Sequence, residues 1–306
     1  MAKIAINKKV LKNQRTLILM GIPFVIYAII FCYVPLFGWI MGFQNYKPKD
    51  GFFHSKFVGL AKFKRLFGDD VFLKTIRNTF CMGAMNLVFS TVFAILFAIL
   101  LNEFWNLKGK KLIQTVSYLP HFLSWIIVTS ICFDVLSMEN GVLNDVLVGL
   151  HLIKEPINWL AHPKYFWWIV TFSNLWKETG WNSIIYLAAI TSINPDLYEA
   201  ASIDGAGRLA KIWHITLPGL KPTIMILLIM NIGNVLNAGF EVQYLLGNGL
   251  VQSVSQTIDI YVLKFGISGG DYSLGTAAGI FKSVVSIALI AIANAGAKIA
   301  GEESLF

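Results

Sequence analysis

Residues 194–208, NPDLYEAASIDGAGR, form a polar stretch between two long apolar blocks. Asn194 can cap a helix and Pro195 suits its first position, while the acidic residues of the first turn favour the positive end of the helix dipole. Gly205 can adopt the positive φ that ends a helix. The pattern predicts a short helix, Pro195 to Asp204, that stands outside a membrane between two spans. Because so short a helix is unstable alone in water, we expect another protein to hold it.

On both sides of this stretch the chain is apolar enough to span a membrane. Of its 306 residues, 56% are apolar and 14% charged, whereas soluble domains carry about 25% charged residues. This composition argues against a nucleic-acid-binding protein and against a soluble enzyme. Six blocks are long enough, at about 1.5 Å per residue, to cross about 30 Å of hydrocarbon. The predicted fold is all-α, a polytopic membrane protein with six transmembrane helices: Thr16 to Phe43, Thr79 to Leu101, Thr115 to Leu136, Tyr165 to Thr191, Ile215 to Gly239 and Ser273 to Ala297.

Side chains that support catalysis or hold a metal do not cluster in the sequence. Cys32, Cys81 and Cys132 lie about fifty residues apart in apolar stretches, without CxxC spacing. The five histidines form no HxxxH or HExxH pair. No GxxxxGK[ST] loop is present to cradle a phosphate, so energy from ATP would have to come from a partner. We expect no catalytic residues, no metal and no cofactor in this chain.

One motif carries a family resemblance. Glu199-Ala200-Ala201 is followed after three residues by Gly205 and after nine more by Ile215-Thr216-Leu217-Pro218. This spacing resembles, without a gap, the EAA loop of the permease subunits of binding-protein-dependent ABC importers. Other motifs are similar to the carbohydrate branch of that family, particularly to permeases for complex oligosaccharides: Asn174-x-Trp176-Lys177 through Gly180-Trp181, Ile203-Asp204-Gly205-Ala206, and Gly239-Phe240-Glu241 with Tyr244-Leu245-Leu246.

The resemblance implies a fold and a role for the loop. The fold would be the MetI-like bundle of type I ABC importers, a single domain over residues 1–306 with a permease core at 75–300 and a coupling loop at 194–218. The short helix would be the coupling helix, which sits in a cleft of a separate ATPase and moves the membrane helices when the ATPase dimer closes. ATP and Mg would be bound by that partner. The implied ATPase-coupling residues are Tyr198, Glu199, Ala200, Ala201, Asp204 and Gly205.

The same resemblance implies partners and a location. The partners would be a second homologous permease, with a heterodimer favoured, two ATPase subunits, an extracytoplasmic solute-binding protein, membrane lipid and an oligosaccharide, but no nucleic acid. The location would be a prokaryotic cytoplasmic (inner) membrane. Since four spans precede a cytoplasmic coupling loop, both termini would be cytoplasmic. The five basic residues before the first span agree with this orientation. The loop from Gln44 to Asn78 does not, because it would be outside and yet carries eight Lys and Arg.

Polar residues within the predicted spans indicate a translocation path. A charge at mid-membrane costs about 2.5–3.5 kcal/mol on insertion scales, so Lys177 and Glu178 are expected to face the bundle interior or a wet cavity. Adjacent helical side chains point about 100° apart, so we do not expect these two to neutralise each other. Aromatic rings stack on sugar faces and amides bond hydroxyl groups. The predicted substrate-path residues are Lys177, Glu178, Trp181, Asn182, Asn231, Asn234 and Glu241.

Several alternatives stay open. Polar side chains also hold helices together in lipid. An ion-coupled secondary carrier that titrates Lys177 and Glu178 is the main alternative function, although such carriers usually show internal inverted repeats and none is visible. A membrane-embedded enzyme is a third possible function, after the importer subunit and the ion-coupled carrier. Two outside stretches, Phe57 to Phe67 and Val142 to Leu150, predict helices that either lie on the headgroups or pack on the bundle as lids.

Overall fold

The computed structural model describes residues 14–305, and this part is built almost entirely from helices. Lys3, Lys8, Lys9 and Lys12, on which the predicted orientation of the amino terminus partly rests, lie outside the described residues. Two short strands, β1 (Gln44–Asn45) and β2 (Lys56–Phe57), pair antiparallel. The helices are α1 (Arg15–Ala28), α2 (Gly51–His54), α3 (Ala61–Phe67), α4 (Asp70–Glu103), α5 (Leu107–Tyr118), α6 (Trp125–Leu136), α7 (Val142–Gly149), α8 (Pro163–Thr191), α9 (Pro195–Ile203), α10 (Arg208–Lys211), α11 (Leu217–Ile232), α12 (Glu241–Leu246), α13 (Gln252–Ser255), α14 (Ile258–Tyr261) and α15 (Tyr272–Ile299).

The membrane bundle that the sequence predicts is present. Four helical stretches of the described part are long and apolar enough to cross a membrane, and a bent pair of helices would make a fifth. The fourth predicted span corresponds to α8. Its 29 residues are long enough to cross a membrane, but its polar residues make it less apolar than those four stretches. The all-α polytopic fold is thus confirmed. The four stretches are Arg15–Phe43, Asp70–Glu103, Arg208–Ile232 and Tyr272–Ile299.

The third predicted span is broken, so its prediction as one continuous helix from Thr115 to Leu136 was wrong. The helical pair Leu107–Phe122 and Trp125–Leu136 is bent by 102°. Pro120 lies at the start of a tight 3-10 turn, and a proline cannot donate the next helical hydrogen bond. Ser124 then caps α6, its hydroxyl accepting a hydrogen bond from a backbone N–H three residues on. A stop signal and a start signal four residues apart therefore produce the bend.

The fifth predicted span also ends earlier than Gly239, the predicted boundary. α11 ends at Ile232, and the following residues form consecutive turns. The backbone N–H of Asn234 donates to Asn231 O at 2.9 Å, and that of Asn237 donates to Asn234 O at 2.8 Å. Asparagine favours turns because its side chain competes with the helical backbone bonds. Asn231 therefore lies in the last turn of α11, whereas Asn234 and Asn237 lie along the turns that follow, so the three do not share one helical face.

The bundle is organised around α4 and α8, which make the most extensive helix contact in the described residues. Near one end, Ala94, Ala98, Tyr186 and Leu220 form a buried cluster beside residues 194–218, and we call this the loop end. At the opposite end, another cluster joins Met82, Phe166, Val242 and Leu246. The segment between α11 and α15 packs there, where Asn78 donates hydrogen bonds to the backbone of Ser253 and Gln256 at 3.0 and 3.2 Å.

At the opposite end, α3 packs on the bundle as a lid. Leu66 is fully buried in a cluster with Phe72 and Ala277, which supports the lid interpretation of this stretch. Lys62 donates to Asp271 at 2.9 Å and ties α3 to the start of α15. The predicted helix from Phe57 was wrong in its first residues, because Phe57 pairs in β2 and α3 begins at Ala61. In the second stretch, α7 contacts α6 while Val142 and Val146 stay exposed.

A buried tyrosine fastens the same end. The hydroxyl of Tyr261 donates to Asp69 Oδ2 at 2.8 Å. Burial first, and then the neighbouring Asp69 carboxylate, raise the pKa of Tyr261 above its ordinary range. The phenol therefore stays protonated and keeps donating this bond. One ion pair joins the same segment to the sixth span, since Lys282 Nζ lies 2.6 Å from Asp259 Oδ1.

Candidate functional site: a polar cavity and a braced loop

The loop helix is present where the sequence predicts it. α9 spans Pro195–Ile203, with Asn194 as its N-cap and Pro195 at its first position. The side chain of Asn194 accepts a hydrogen bond from the backbone N–H of Asp196 at 3.0 Å. Gly205 has a φ of +79°, a conformation that L side chains rarely adopt. Local capping therefore accounts for both ends of α9.

Side-chain bonds brace α9 against the chain that follows it. The hydroxyl groups of Tyr198 and Thr216 lie 3.0 Å apart. Lys211 Nζ donates to Ser202 Oγ at 2.6 Å, and this hydroxyl donates to Tyr198 O at 2.6 Å. Tyr198 is half-buried and turned towards the bundle. Sequence reasoning missed Ser202, Lys211 and Thr216 as bracing residues. Lys211 and Thr216 lie beyond the end of α9, so helical periodicity does not connect them to it.

The outer face of the loop end is exposed and apolar. Ile203 is 87% exposed and Leu209 is 73% exposed, and exposed large apolar residues that form a patch mark interaction sites. Leu197 and Trp213 are exposed as well. This face is suited to cover by a partner. Of the predicted coupling residues, Ala201 is half-buried, and those on the open surface are Glu199, Ala200, Asp204 and Gly205.

A polar cavity of about 290 Å³ lies between α4, α8 and α11. Side-chain amides line it, and we call it the asparagine cavity. Asn182 donates to Ser90 Oγ at 3.1 Å, and Asn237 donates to Asn234 Oδ1 at 3.0 Å. The polar lining residues are Asn86, Ser90, Thr91, Asn182, Tyr186, Asn231, Asn234 and Asn237.

A close backbone approach positions one wall of this cavity. A Cβ at Gly83 would lie 1.8 Å from Val235 O, so only glycine lets α4 meet the turn after α11. The turn carries Asn234 and Asn237. Gly83 thus determines how closely the amides of the turn approach those of α4.

The structure brings together three of the predicted path residues, Asn182, Asn231 and Asn234. Sequence reasoning missed Asn86, Ser90 and Thr91 on α4. A signal was present, because Gly83, Asn86, Ser90 and Ala94 recur at helical spacing as a stripe of small and polar residues. Such a stripe on an otherwise apolar span marks the face that α4 turns to the cavity.

Lys177 and Glu178 lie elsewhere, at the bend between α5 and α6. The side chain of Lys177 is 6% exposed, and its Nζ lies 3.2 Å from Glu178 Oε1. The expectation that neighbouring residues would not pair was wrong, because both flexible side chains reach the same point. Lys177 also donates to His121 O and lies 5.5 Å from the centre of the Trp125 ring. Glu178 Oε2 lies 2.7 Å from His121 Nδ1. We call this group, with Trp181, the bend cluster.

The remaining predicted path residues do not line the asparagine cavity. Trp181 stacks on His121 with ring centres 4.2 Å apart and planes at 3°. Glu241 is exposed at the start of α12, beyond the cavity. Within residues 14–305, no three His, Cys, Asp or Glu side chains are placed to hold a metal. The described geometry supports hydrogen bonding to a polar, uncharged molecule in the asparagine cavity.

Comparison with known proteins places the chain among transport subunits. A family model described as binding-protein-dependent transport system inner membrane component matches residues 90–299. The chain is 43% identical over 294 residues to the polygalacturonan/rhamnogalacturonan transport system permease protein YteP of Bacillus subtilis, covering 96% of this chain and 91% of that protein. It is also 43% identical to the protein LplB of the same organism, covering 97% of this chain and 92% of LplB.

A solved structure extends the similarity to the fold. A chain from the bacterial alginate ABC transporter, in complex with its alginate pentasaccharide-bound periplasmic protein, superposes with a TM-score of 0.88 at 36% sequence identity. The match covers 97% of this chain and 99% of that one. The matched family region lies inside the predicted core of residues 75–300.

Proposed function

Because this chain belongs to the family of binding-protein-dependent transport system inner membrane components, we propose that it forms part of the translocation path of an ATP-driven oligosaccharide importer. The chain is a multi-pass inner-membrane subunit with a transport role, and it is not an enzyme. Nothing in the comparisons favours an ion-coupled carrier. The names of YteP and of the alginate transporter contain sugar polymers, so the substrate class that we infer is an oligosaccharide.

The asparagine cavity is the observation that carries this proposal. Its amides present both donors and acceptors, which is what ring hydroxyl groups require. Asn86 and Asn231 make no side-chain hydrogen bond within residues 14–305, so their amides are free to bind substrate. Asn182, Asn231 and Asn234 would bind the sugar directly, and Glu241 would lie at the entrance. Lys177, Glu178 and Trp181 would act on the path indirectly, by holding the bend between α5 and α6.

The loop end is the proposed contact with an ATPase. Glu199, Ala200, Ala201, Asp204 and Gly205 would face that partner, together with the exposed Ile203 and Leu209. Tyr198 would carry the movement inward, since its hydroxyl meets Thr216 just before α11. α11 bears Asn231, so a displacement of α9 would reach the asparagine cavity through one continuous stretch of chain.

The remaining partners complete the importer. A solute-binding protein would deliver the sugar at the opposite end, and a second homologous permease would supply the other half of the path, most simply as a heterodimer. Two ATPase subunits would bind ATP and Mg, for which this chain offers no phosphate loop. With the loop end in the cytoplasm, both termini would be cytoplasmic as well.

Purification and transport test the proposal together. A tag on this chain should bring down an ATPase, and the complex in proteoliposomes should import an oligosaccharide only with ATP inside. A panel of oligogalacturonides, alginate oligomers, maltotriose and a tripeptide identifies the substrate class. Uptake that continues without any ATPase, driven by a proton or sodium gradient, overturns the proposal.

Charge reversal on α9 tests the coupling role. Glu199→Lys should lower sugar uptake by about tenfold or more while ATP hydrolysis continues, because a reversed charge at a contact is strongly repelled. Glu155→Lys is the matched control, since Glu155 is also exposed but lies between α7 and α8. Equal uptake by the two variants would remove α9 from the coupling path.

A further inference from the structure

A second polar hollow, of about 390 Å³, lies at the opposite end of the bundle. It is formed by the connector, which we define as residues 240–268 between α11 and α15. No lining residue is shared with the asparagine cavity. The side chains that matter here are Gln243, Tyr244, Asn248, Gln252, Gln256 and Lys264.

Two buried amides form the floor of this hollow. Gln243 is 0% exposed and Gln256 is 4% exposed. Gln243 Nε2 donates to the backbone oxygen of Ala238, which itself lines the asparagine cavity. Gln243 Oε1 and Gln256 Nε2 have no hydrogen-bond partner among the described residues, an unusual state for buried polar atoms. One layer of chain thus separates the hollow from the asparagine cavity. Within the described chain, the buried glutamines of this layer still have one acceptor and one donor that are free to form hydrogen bonds.

A lysine without a counter-ion stands at the hollow. Lys264 is exposed and makes no ion pair within residues 14–305, and no Asp or Glu lines the hollow. The acidic residue that is nearest to Lys264 along the sequence, Asp259, is already bound by Lys282 at 2.6 Å. The cation of Lys264 is therefore available to an anionic group.

An aromatic surface and a free amide stand beside that cation. Tyr244 is 48% exposed, and its ring stacks on Phe240 with centres 5.1 Å apart and planes at 17°. The side chain of Gln252 is exposed and forms no hydrogen bond in the described part of the chain. Asn248 differs, because its amide already bonds Leu160 O and the backbone of its own loop. Tyr244, Gln252 and Lys264 are therefore the groups free to contact a ligand.

A smaller hollow of about 240 Å³ continues the same surface. It shares Gln252 and Gln256 with the first and adds Lys74 from α4. Lys74 is exposed and also has no ion-pair partner within the described residues. In the described part of the chain, each hollow thus has one free cation in its lining, Lys264 in the larger and Lys74 in the smaller, and Gln252 at the start of α13 lines both.

We propose that the connector hollow is a binding subsite for an acidic sugar unit, a uronate, of the incoming oligosaccharide. This inference rests on the proposed function. Lys264 pairs with the carboxylate, Gln252 bonds ring hydroxyl groups, and Tyr244 offers its flat face to the sugar ring. The neighbouring Lys74 meets the carboxylate of an adjacent unit. Acidic chains are therefore bound one layer outside the neutral asparagine cavity before they enter it.

The test measures direct binding of trigalacturonate and of its methyl ester to the whole importer in lipid nanodiscs, by calorimetry without the solute-binding protein. The wild-type complex should bind the acid more tightly than the ester. Lys264→Gln should weaken binding of the acid by about tenfold, the scale of one charge-assisted hydrogen bond, and leave binding of the ester unchanged. Lys264→Arg should restore the preference for the acid.

Lys49→Gln is the matched control, because Lys49 is an exposed lysine of the β1–β2 hairpin outside both hollows. It removes the same charge and should keep the preference. A second variant, Gln252→Ala, should weaken binding of acid and ester alike, which separates hydroxyl recognition from charge recognition.

Three outcomes overturn the proposal: absence of measurable trigalacturonate binding, equal wild-type affinity for acid and ester, or an unchanged preference in Lys264→Gln. Failure of the proposed function looks different, because the wild-type importer would then take up no oligosaccharide of any charge. Import of neutral sugars with no preference for acids would leave the proposed function in place and remove only the uronate subsite.

Discussion

The asparagine cavity and the bend cluster are both polar groups inside predicted spans, yet they are built in opposite ways. In the bend cluster the charged atoms have partners, since Lys177 meets Glu178 and Glu178 meets His121. In the asparagine cavity, Asn86 and Asn231 keep free amides within the described chain. We therefore expect a polar residue in a span to bind substrate only where its hydrogen-bonding capacity is unused, and to stabilise the fold where that capacity is satisfied.

The bend cluster should show the largest loss of stability. Lys177→Met leaves Glu178 partly buried with only His121, and Glu178→Leu leaves Lys177 without its counter-ion. Breaking a buried pair costs about 3–5 kcal/mol, and the partial exposure of Glu178 places these variants at about 2–4 kcal/mol. The melting temperature of the purified complex measures the effect. The double variant should lose less stability than the sum of the two, because it leaves no charge unpaired.

The uptake kinetics of the same variants distinguish a structural role of Lys177 from a role in binding sugar. If Lys177 only holds the bend, the surviving Lys177→Met complex should import sugar with an unchanged KM. A raised KM at an unchanged melting temperature would place Lys177 on the sugar path and erase the distinction between the two regions.

The asparagine cavity should show the reverse pattern. Asn231→Ala removes a free amide that is proposed to bond sugar, so KM for uptake should rise by about fivefold to tenfold, the scale of one hydrogen bond. The melting temperature should change little, because no internal hydrogen bond of Asn231 is lost. Asn182→Ala offers a graded comparison, since it also breaks the 3.1 Å bond to Ser90. A stability loss in Asn231→Ala as large as that in Lys177→Met would contradict the assignment.

The smallest effect should come from substitution of Tyr198. This residue has a satisfied hydrogen bond, as in the bend cluster, and also lies in a proposed functional site, the loop end. Its hydroxyl is bonded inward to Thr216, while its helix faces outward. Tyr198→Phe removes that bond alone and should cost about 0.5–1.5 kcal/mol. The ratio of sugar imported to ATP hydrolysed should fall by about twofold, because α9 loses one brace to the chain before α11. Thr216→Val should reproduce both changes, and an unaltered ratio in both variants would show that this brace carries no movement.

The success of prediction from the sequence followed the range of the interactions involved. α9 could be predicted to within a residue because its cap, its proline and Gly205 act over a few neighbouring positions. The bundle could be predicted because spans need long apolar runs. The bend at Pro120 was missed, although its signals were local, because a proline does not always break a span: Pro23 lies inside α1 and Pro222 inside α11.

The side-chain partners could not be predicted in the same way. Lys177 and Glu178 pair because a long flexible side chain can reach around the helix, which the angular spacing of adjacent residues does not capture. Asn182 meets Ser90 across ninety-two positions of the chain, and His121 meets Glu178 across fifty-seven. Such meetings depend on how α4, α5 and α8 pack. The asparagines of span five were recognised for their chemistry, but their arrangement along a turn depends on the end of α11 at Ile232.

A π-helical segment, Ile212–Thr216, joins α10 to α11. It determines at which angle around the helix axis each side chain of α11 projects. Hydrogen bonds in a π-helical segment span one residue more than those in an α-helix, and one residue corresponds to about 100° around the helix axis. Shortened to regular α-helical winding, the same sequence would carry the carboxamide of Asn231 to a different azimuth, away from α4 and α8. The π-helical segment thus acts as an angular offset that decides which side chains a distant stretch of α11 turns toward the asparagine cavity.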